Sequence, residues 1–234
     1  MKTIGILGGV GPETTSKVYH SIIDSFRKNK KDKYPAILIY NLPFPFAIEN
    51  EAIVKGKNSH KMIPYLISGA KILEASGADF GILPCNTLHK HIEEICSAVK
   101  IPFLNILDET VAHLKGRKIQ TLGILATETT VKDKLYDNVL NINKINFFYP
   151  SPIDQASVNE IILELLNGEK NKIQYKKIQR ICESLQEKGA EAILLACTDL
   201  QLIMSAINIS IPIVDSTEII IQASIRELNN KKTS

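Results

Sequence analysis

Two segments of this sequence are versions of one another. Residues 77–88 read GADFGILPCNTL and residues 189–200 read GAEAILLACTDL. Each combines a Gly-Ala pair typical of a helix end, a short apolar run typical of a buried strand, and a cysteine with a threonine close behind it. Because the two segments lie far apart in the chain, we predict two equivalent strands that each deliver a thiol at the carboxyl end.

The repeat extends over both halves of the chain. Residues 4–8 (IGILG) resemble residues 122–126 (LGILA), and residues 101–104 (IPFL) resemble residues 211–214 (IPIV). Internal self-similarity of this kind indicates a duplicated architecture. We predict two lobes related by an approximate twofold axis. The first comprises residues 1–103 and 212–234 and carries Cys85, and the second comprises residues 104–211 and carries Cys197.

Apolar runs of strand length alternate with helix-length segments along the chain. The predicted strands are residues 3–7, 36–41, 80–84, 103–106, 121–126, 146–149, 192–196 and 213–215. The predicted helices include residues 14–29, 61–76, 131–139, 155–166 and 175–188. This alternation predicts an α/β fold of two pseudo-symmetric three-layer α/β/α lobes with mostly parallel sheets. Ligands bind such sheets at the carboxyl ends of their strands, so we expect the active site in the cleft between the lobes.

The composition excludes several classes of partner. A chain of 234 residues with 44% hydrophobic and 23% charged residues and a net charge of +3 is typical of a globular protein. The lysine-rich run at residues 28–31 contains no aromatic residue, so it is better explained as a solvated surface than as a nucleic-acid site. No apolar run approaches the roughly 20 residues that span a bilayer. We therefore expect neither a nucleic-acid nor a membrane partner.

The four cysteines allow two interpretations. They could form two disulfides in a secreted protein, but the N-terminal segment reads as a strand broken by glycines rather than as a secretion signal. Reduced thiols in the cytoplasm are the expectation for such a chain. No Cys-x-x-Cys pair or Cys/His cluster has the spacing of a zinc site, so we expect no bound metal.

Cys85 and Cys197 are the candidate catalytic residues. A free cysteine often serves as a small core residue, and we assign that role to Cys96 and Cys182, which lie within helical patterns. Matching positions in a duplicated motif instead favour a pair of acid/base groups that face one substrate. Because each thiol lies where a strand gives way to a helix, we expect its pKa to be lowered from the usual value of about 8.5.

The segment GGVGPETT at residues 8–15 follows a predicted strand and opens a helix. It matches neither the Gly-x-Gly-x-x-Gly dinucleotide fingerprint nor a phosphate loop. Two interpretations stay open for Gly9 and Val10: a cradle that binds a small carboxylate through backbone N–H groups, or a plain tight turn.

Polar residues follow the strand ends of both lobes. Hydroxyl and amide groups at these positions can bind a carboxylate, although helix capping explains each threonine equally well. His89 and His91 are two residues apart and cannot share a helix face, which argues against a joint metal site. The candidate substrate-binding residues in these segments are Asn86, Thr87, Thr127 and Thr198.

The motifs GGVGPETT, PCNTLH and ACTD together resemble the aspartate/glutamate racemase superfamily, most closely its aspartate racemase branch. The resemblance covers essentially the whole chain. It implies a cofactor-independent two-base amino-acid racemase that is usually a homodimer, with Cys85 and Cys197 as the catalytic pair. It further implies that the four polar residues named above hold the carboxylate and ammonium of a small amino-acid substrate.

Three positions depart from the aspartate-selective pattern of that family. The resemblance places Asn50 where such members carry an arginine, and Ile162 and Leu166 where they carry a tyrosine and a lysine. We therefore expect a broader or less acidic range of amino acids, with Asn50 as a further substrate-binding candidate. Hydantoin racemisation, maleate isomerisation and an inactive homologue that only binds a small molecule are the alternatives.

Overall fold

Two four-stranded parallel sheets form the framework of the protein. The computed structural model describes residues 1–29, 33–54 and 56–230, without the side chains of Asn50 and Val54. The first sheet has the order β2-β1-β3-β4, with β1 (Thr3–Gly8), β2 (Ala36–Asn41), β3 (Phe80–Ile82) and β4 (Phe103–Leu104). The second has the order β6-β5-β7-β8, with β5 (Thr121–Ala126), β6 (Asn146–Phe148), β7 (Ala192–Ala196) and β8 (Ile213–Asp215). Equivalent strands occupy equivalent places, so the predicted duplication of an α/β unit is confirmed.

Helices connect the strands and cover the sheets. They are α1 (Pro12–Lys28), α2 (Phe46–Glu49), α3 (Ile63–Ala75), α4 (Ile92–Ala98), α5 (Ile106–Gly116), α6 (Glu128–Lys132), α7 (Asp137–Ile142), α8 (Pro152–Leu166), α9 (Lys172–Glu187), α10 (Gln201–Met204) and α11 (Ser216–Asn229). A π-helical turn spans Asn50–Val54, and 3-10 turns span Ser59–Met62, Thr87–His91 and Thr198–Leu200. Within the described ranges, no helix combines the length and apolar character needed to cross a membrane.

One strand departs from the predicted lobe boundaries. Strand β8 was predicted to belong to the first lobe with residues 212–234, but it pairs in parallel with β7 and completes the second sheet. Helix α11, which follows it, packs against α1 and α5. The chain therefore leaves the second sheet at Asp215 and enters a helix that contacts elements of both halves of the chain. The other predicted boundary, between residues 103 and 104, stays a prediction.

The helix predicted over residues 131–139 is wrong. The structure has two short helices there, α6 and α7, separated by a turn in which Lys134 adopts a left-handed conformation with φ of 51°. Tyr136 lies in this turn and is fully buried. The apolar spacing of the segment is helical, but the left-handed backbone at Lys134 ends the first helix and places Tyr136 in the core.

The two lobes share one hydrophobic core. Ile6 on β1 and Ile124 on β5 belong to the same buried cluster, together with side chains of α1, α5 and α11. The opposite faces of the sheets have separate cores: Leu7 packs with α3, and Leu125 packs with α8 and α9. Because the central core is continuous, the carboxyl ends of both sheets are held in a fixed relation to one another.

Gly81 and Gly116 provide a matched test of packing in this fold. A Cβ at Gly81 would lie 2.4 Å from the Phe103 ring, whereas a Cβ at Gly116 would meet no atom within 4 Å. We expect Gly81→Ala to lower the free energy of unfolding by about 1–3 kcal/mol through overpacking. Gly116→Ala should raise it by up to about 1 kcal/mol, because alanine restricts the unfolded chain. Urea unfolding measures the free energy of unfolding of both variants. Equal changes in the two would contradict the tight packing of Gly81 against Phe103.

Candidate active site

A cavity of about 660 Å³ lies where the carboxyl ends of the two sheets meet. This volume falls within the range of roughly 300–1,000 Å³ that is usual for small-molecule sites. Cys85 and Cys197 both line the cavity, one from each half of the repeat. The predicted substrate-binding residues that also line it are Gly9, Val10, Asn86, Thr87, Thr127 and Thr198. The side chain of Asn50 lies outside the described residues, so its predicted contact is untested.

The Cys85 loop is held by a buried histidine. Strand β3 ends at Ile82, and the N–H of Cys85 then donates to the Leu83 carbonyl at 2.8 Å. The N–H of Ile106 donates to Nε2 of His89 at 3.1 Å, so the proton of this ring is on Nδ1, which donates to the Cys85 carbonyl at 2.8 Å. Burial lowers the pKa of His89 to about 4 and keeps the ring neutral. His89 therefore fixes the backbone that carries the first thiol.

The histidines of this turn have separate partners. His91 Nε2 lies 3.2 Å from the Ser59 hydroxyl, and its Nδ1 lies 3.4 Å from Oε1 of Glu94. In the part of the chain that the structure describes, no three His, Cys, Asp or Glu side chains are grouped as metal ligands. Both histidines are thus accounted for by structural hydrogen bonds.

Cys197 lies directly after strand β7, beside an acidic side chain. Its Sγ–H donates to Oδ2 of Asp199 at 3.8 Å, a weak hydrogen bond between residues of the same turn. Asp199 also lines the cavity, and burial raises the pKa of its carboxyl. The second thiol therefore donates a hydrogen bond to a carboxylate, whereas the groups that hydrogen-bond to the first thiol are the backbone N–H groups of Thr87 and Leu88.

Burial raises the pKa of both thiols, which corrects the sequence-based expectation. It raises the pKa of Cys85 to about 12 and that of Cys197 well above the usual value. The backbone N–H groups of Thr87 and Leu88 act on Cys85 in the predicted, lowering direction, but the loss of solvation outweighs them. The negative charge of Asp199 raises both values further. Both thiols of the free protein are consequently protonated near neutral pH.

The predicted core role holds for one of the other two cysteines. Cys182 is buried in helix α9, as expected. Cys96 is exposed, because helix α4 turns Ile95 toward the core and leaves the next residue on the outside. The core assignment of Cys96 was therefore wrong.

A buried chain of hydrogen bonds joins the two lobes behind the cavity. Tyr136 donates its hydroxyl hydrogen to Oδ1 of Asn86 at 2.5 Å, and Nδ2 of Asn86 donates to Oγ of Ser216 at 3.0 Å. Ser216 in turn donates to the carbonyl of Leu195 on strand β7 at 2.7 Å. Asn86 was expected to bind substrate, but both polar atoms of its side chain are hydrogen-bonded to protein groups and hold the loop after Cys85 in place. Its contact with substrate stays a prediction.

Sequence reasoning missed Tyr136 and Ser216. Tyr136 lies in the segment that was assigned to a single helix, and no local pattern marks a tyrosine whose hydroxyl crosses to the other lobe. Ser216 directly follows the repeated Ile-Pro strand, so its position at a strand end was the available signal. The side-chain bonds themselves depend on tertiary contact.

The threonines form a second junction between the lobes. Oγ1 of Thr87 lies 3.0 Å from Oγ1 of Thr127, which in turn donates to Oγ1 of Thr130 at 3.0 Å. The backbone N–H of Thr130 donates to Oγ1 of Thr127, so the capping interpretation is confirmed for Thr127 at the start of α6. Thr87 and Thr198 lie inside their turns and do not cap a helix.

The glycine-rich segment at residues 8–15 is held by hydrogen bonds among its own residues. Gly9 has φ of 94°, and a Cβ there would lie 2.7 Å from the backbone nitrogen of Leu42, so only glycine fits. The N–H of Gly9 donates to Oγ1 of Thr15 at 3.2 Å, and that hydroxyl donates to the Gly11 carbonyl. The tight-turn interpretation is confirmed for Gly9. A carboxylate cradle that uses the N–H of Val10 stays a prediction.

The fold and the cavity define a class of protein. Two equivalent α/β lobes that each bring a cysteine from a strand end into one cavity form a two-lobed α/β protein with a paired-thiol site. A sequence profile of the Asp/Glu/Hydantoin racemase family matches residues 7–224. The chain belongs to this family.

Relatives and solved structures agree with this assignment. The chain is 32% identical over 229 residues to the broad specificity amino-acid racemase RacX of Bacillus subtilis, covering 95% of this chain and 96% of that protein. It is similar to the structure of an aspartate racemase homologue from Pyrococcus horikoshii, with a TM-score of 0.80, 26% identity, and coverage of 98% and 100% of the two chains. It is also similar to the Picrophilus torridus aspartate racemase, with a TM-score of 0.79, 27% identity, and coverage of 99% and 96%.

Tyr136→Phe tests the junction behind the cavity. The change leaves Oδ1 of Asn86 buried without its hydroxyl donor, so we expect the free energy of unfolding to fall by about 1–3 kcal/mol. Tyr149→Phe is the matched control, because the Tyr149 hydroxyl donates at 2.8 Å to Asp137, which is only half-buried and remains accessible to water. The control should cost less than about 1 kcal/mol. Urea unfolding measures the free energy of unfolding of both variants. An equal decrease in the two would show that the Tyr136 hydrogen bond contributes no more to stability than a solvent-accessible one.

Asp199→Asn tests the electrostatic origin of the thiol pKa values. Removal of the negative charge should lower the pKa of both Cys85 and Cys197, because the thiolate is then less disfavoured. Alkylation by iodoacetamide, followed at each cysteine by mass spectrometry across a pH series, should accelerate at lower pH than in the parent. Cys182 is the internal control, because burial and Glu183, not Asp199, raise its pKa. If the pH dependence of alkylation is unchanged at both Cys85 and Cys197, the charge of Asp199 does not raise their pKa values.

Proposed function

We propose that this protein is a cofactor-independent amino-acid racemase in which Cys85 and Cys197 act as two bases. The observation that carries the proposal is that equivalent strands of a duplicated fold bring two buried thiols into one cavity. Membership of the Asp/Glu/Hydantoin racemase family and the similarity to a broad specificity amino-acid racemase support it.

The two-base scheme needs one thiolate and one thiol in each turnover. The thiolate removes the α-proton of the bound amino acid and becomes a thiol. The other thiol gives its proton to the opposite face of the resulting carbanion and becomes a thiolate. General acid–base steps of this kind contribute roughly 10²–10⁴-fold each. The reverse assignment of roles converts the other enantiomer.

Burial makes the resting thiols poor bases, so the substrate itself has to favour the thiolate. The α-ammonium of an amino acid places a positive charge in the cavity and stabilises a thiolate there. Asp199, which accepts a hydrogen bond from Cys197, is the adjacent group that can receive the proton. Exclusion of water strengthens these electrostatic interactions.

The carbanion formed on proton removal has no cofactor to delocalise its charge in this proposal. Hydrogen-bond donors directed at the α-carboxylate therefore have to stabilise it. The hydroxyls of Thr87, Thr127 and Thr198 line the cavity beside the two thiols and are our candidates for this role. Thr87 and Thr127 are already oriented by their mutual hydrogen bond.

The cavity favours a range of amino acids wider than aspartate. Ile162 and Leu166, which occupy the positions where the resemblance expects a tyrosine and a lysine, both line it. An apolar wall at these positions gives no ion-pair partner to a second carboxylate. The homodimer that the resemblance implies stays a prediction.

Single cysteine variants test the two-base scheme. We expect Cys85→Ala and Cys197→Ala each to lower racemisation by at least about 10²–10⁴-fold, because each removes one of the two proton carriers. The exposed Cys96→Ala is the matched control and should keep full activity. Chiral chromatography after exhaustive dialysis, with no added cofactor, measures the rates across the protein amino acids.

The same experiment can refute the proposal. Full racemisation by either cavity variant would exclude the paired mechanism. Restoration of activity only after addition of pyridoxal phosphate, a metal or a nucleotide would exclude a cofactor-independent enzyme. Deuterium exchange into hydantoins, with none into any amino acid, would show that the protein is a hydantoin racemase instead.

A further inference from the structure

Helix α8 holds the chain on both sides of Thr127. Thr127 connects strand β5 to helix α6 and lines the cavity. The carbonyl of Ala126, the residue before it, accepts a hydrogen bond from Nε2 of Gln155 at 2.9 Å. Oε2 of Glu128, the residue after it, accepts from Nδ2 of Asn159 at 2.5 Å. Both donors belong to α8, so a helix outside the β5–α6 connection determines how that connection lies.

The two donors on helix α8 are also bonded to each other. Nε2 of Gln155 donates to Oδ1 of Asn159, one turn further along the helix, at 2.9 Å. A carboxylate only accepts hydrogen bonds, so Glu128 requires Asn159 to face it with Nδ2. Asn159 then presents its oxygen to Gln155, which uses both hydrogens of Nε2 for Asn159 and the Ala126 carbonyl. The direction of every bond in this group, from the carboxylate to the Ala126 carbonyl, is therefore fixed.

The other polar atom of Gln155 has no partner. Gln155 is buried, and its Oε1 accepts no hydrogen bond from the described residues. A buried acceptor without a donor destabilises a fold, and such atoms are rare in native proteins. This loss offsets part of what the two donated bonds contribute. Stability of the fold is therefore a weak explanation for a glutamine at this position, and the carbonyl that its Nε2 holds is a better one.

The supporting side chains lie behind the wall of the substrate cavity. Gln155, Asn159 and Glu128 are not among the residues that line it. Asn159 and Glu128 instead line a separate cavity of about 10 Å³, which has the space of about one water molecule and is too small for an amino acid. These side chains can therefore act on a bound substrate only through the residues that they hold.

The backbone at Thr127 determines where its hydroxyl lies. Thr127 is extended, with φ of −64° and ψ of 153°, as the N-cap of helix α6. In this conformation its Oγ1 accepts from the N–H of Thr130 at 3.2 Å and lies 3.0 Å from Oγ1 of Thr87. Rotation of the peptide between Ala126 and Thr127 would move the hydroxyl away from these partners. Misplacement of a binding group by about 1 Å can lower a rate by roughly 10²-fold.

We propose that Gln155 and Asn159 are positioning residues of this racemase, which fix the peptide between Ala126 and Thr127 and so direct the Thr127 hydroxyl at the α-carboxylate of the substrate. The inference rests on the proposed racemase function, in which Thr127 is a candidate donor to that carboxylate. Every amino acid has an α-carboxylate, so the effect is independent of the substrate side chain. A purely structural role would lower stability and leave kcat/KM unchanged.

Gln155→Met removes both donated hydrogens and keeps the length of the side chain. Exchange of the α-proton in heavy water is measured with the purified full-length protein, for each protein amino acid separately. We expect kcat/KM to fall roughly 10–100-fold, by the same factor for every amino acid that exchanges. Gln174→Met is the matched control, because Gln174 is also a buried glutamine near the start of a helix, where it donates to Glu164. The control should leave kcat/KM unchanged.

A double-mutant cycle tests whether Gln155 acts through the Thr127 hydroxyl. Thr127→Val removes the hydroxyl and keeps the shape of the side chain. In that background Gln155→Met should lower kcat/KM by less than about twofold, because the group that it positions is already absent. Asn159→Leu in the parent protein should cause a loss of roughly two- to tenfold, since Gln155 then keeps its bond to Ala126 but loses the group that orients it.

Gln155→Glu tests the donated hydrogen through its pH dependence. A carboxylate at this position would face the Ala126 carbonyl and Oδ1 of Asn159, two acceptors to which it cannot donate. The protonated acid, which burial favours, can donate one hydrogen to the carbonyl. We therefore expect kcat/KM of this variant, relative to the parent protein at the same pH, to rise as the pH is lowered. The corresponding ratio for Gln155→Met should not change with pH.

The outcomes separate positioning from the proposed function. Unchanged kcat/KM in Gln155→Met, or an undiminished effect of this change in the Thr127→Val background, would overturn the positioning role and leave the racemase function standing. If Gln155→Met does not fold, Gln155→Glu decides, and a ratio that does not vary with pH would overturn the role. Absence of exchange with every amino acid in the parent protein would overturn the proposed function itself.

Discussion

The position of both thiols depends on a buried hydrogen-bond chain from Tyr136 through Asn86 and Ser216 to the Leu195 carbonyl. The first two residues come from different halves of the repeat, and the chain ends on the strand that leads to the second thiol. Each of these polar groups is removed from water, so a missing partner would cost about 1–3 kcal/mol. Because breaking any of these bonds is unfavourable, the hydrogen-bond chain favours one relative position of the carboxyl ends of strands β3 and β7.

The shared core reinforces the same geometry on a larger scale. Side chains from the central strands of both sheets pack into one cluster with helices α1, α5 and α11. Close-packed interiors resist small displacements, because a shift on one side changes contacts on the other. The two lobes are therefore joined by a continuous core, and this core holds the two strand ends that carry the thiols.

Several features of the fold were predictable from the sequence, and the failures have identifiable causes. All eight predicted strands are present, because apolar runs between turn residues are a local signal. The single helix over residues 131–139 was wrong: the chain turns at Lys134, and Tyr136 in this turn bonds to Asn86 of the other lobe, a contact that no local pattern reveals. The expected lowering of the thiol pKa values failed for a similar reason. A helix start is visible in sequence, whereas the depth of burial is not.

The sequence by itself determined the duplicated α/β architecture, the equivalence of Cys85 and Cys197, and the loss of cationic residues at two positions expected from the family pattern. The first two follow from patterns within a short window or from the comparison of two windows, and the third follows from the resemblance to the family. The tertiary structure alone decided that both thiols share a cavity, that burial keeps them protonated, and that the charge of Asp199 acts on both. Solvation and Coulomb interaction depend on distances through space, and those distances join residues that the chain separates.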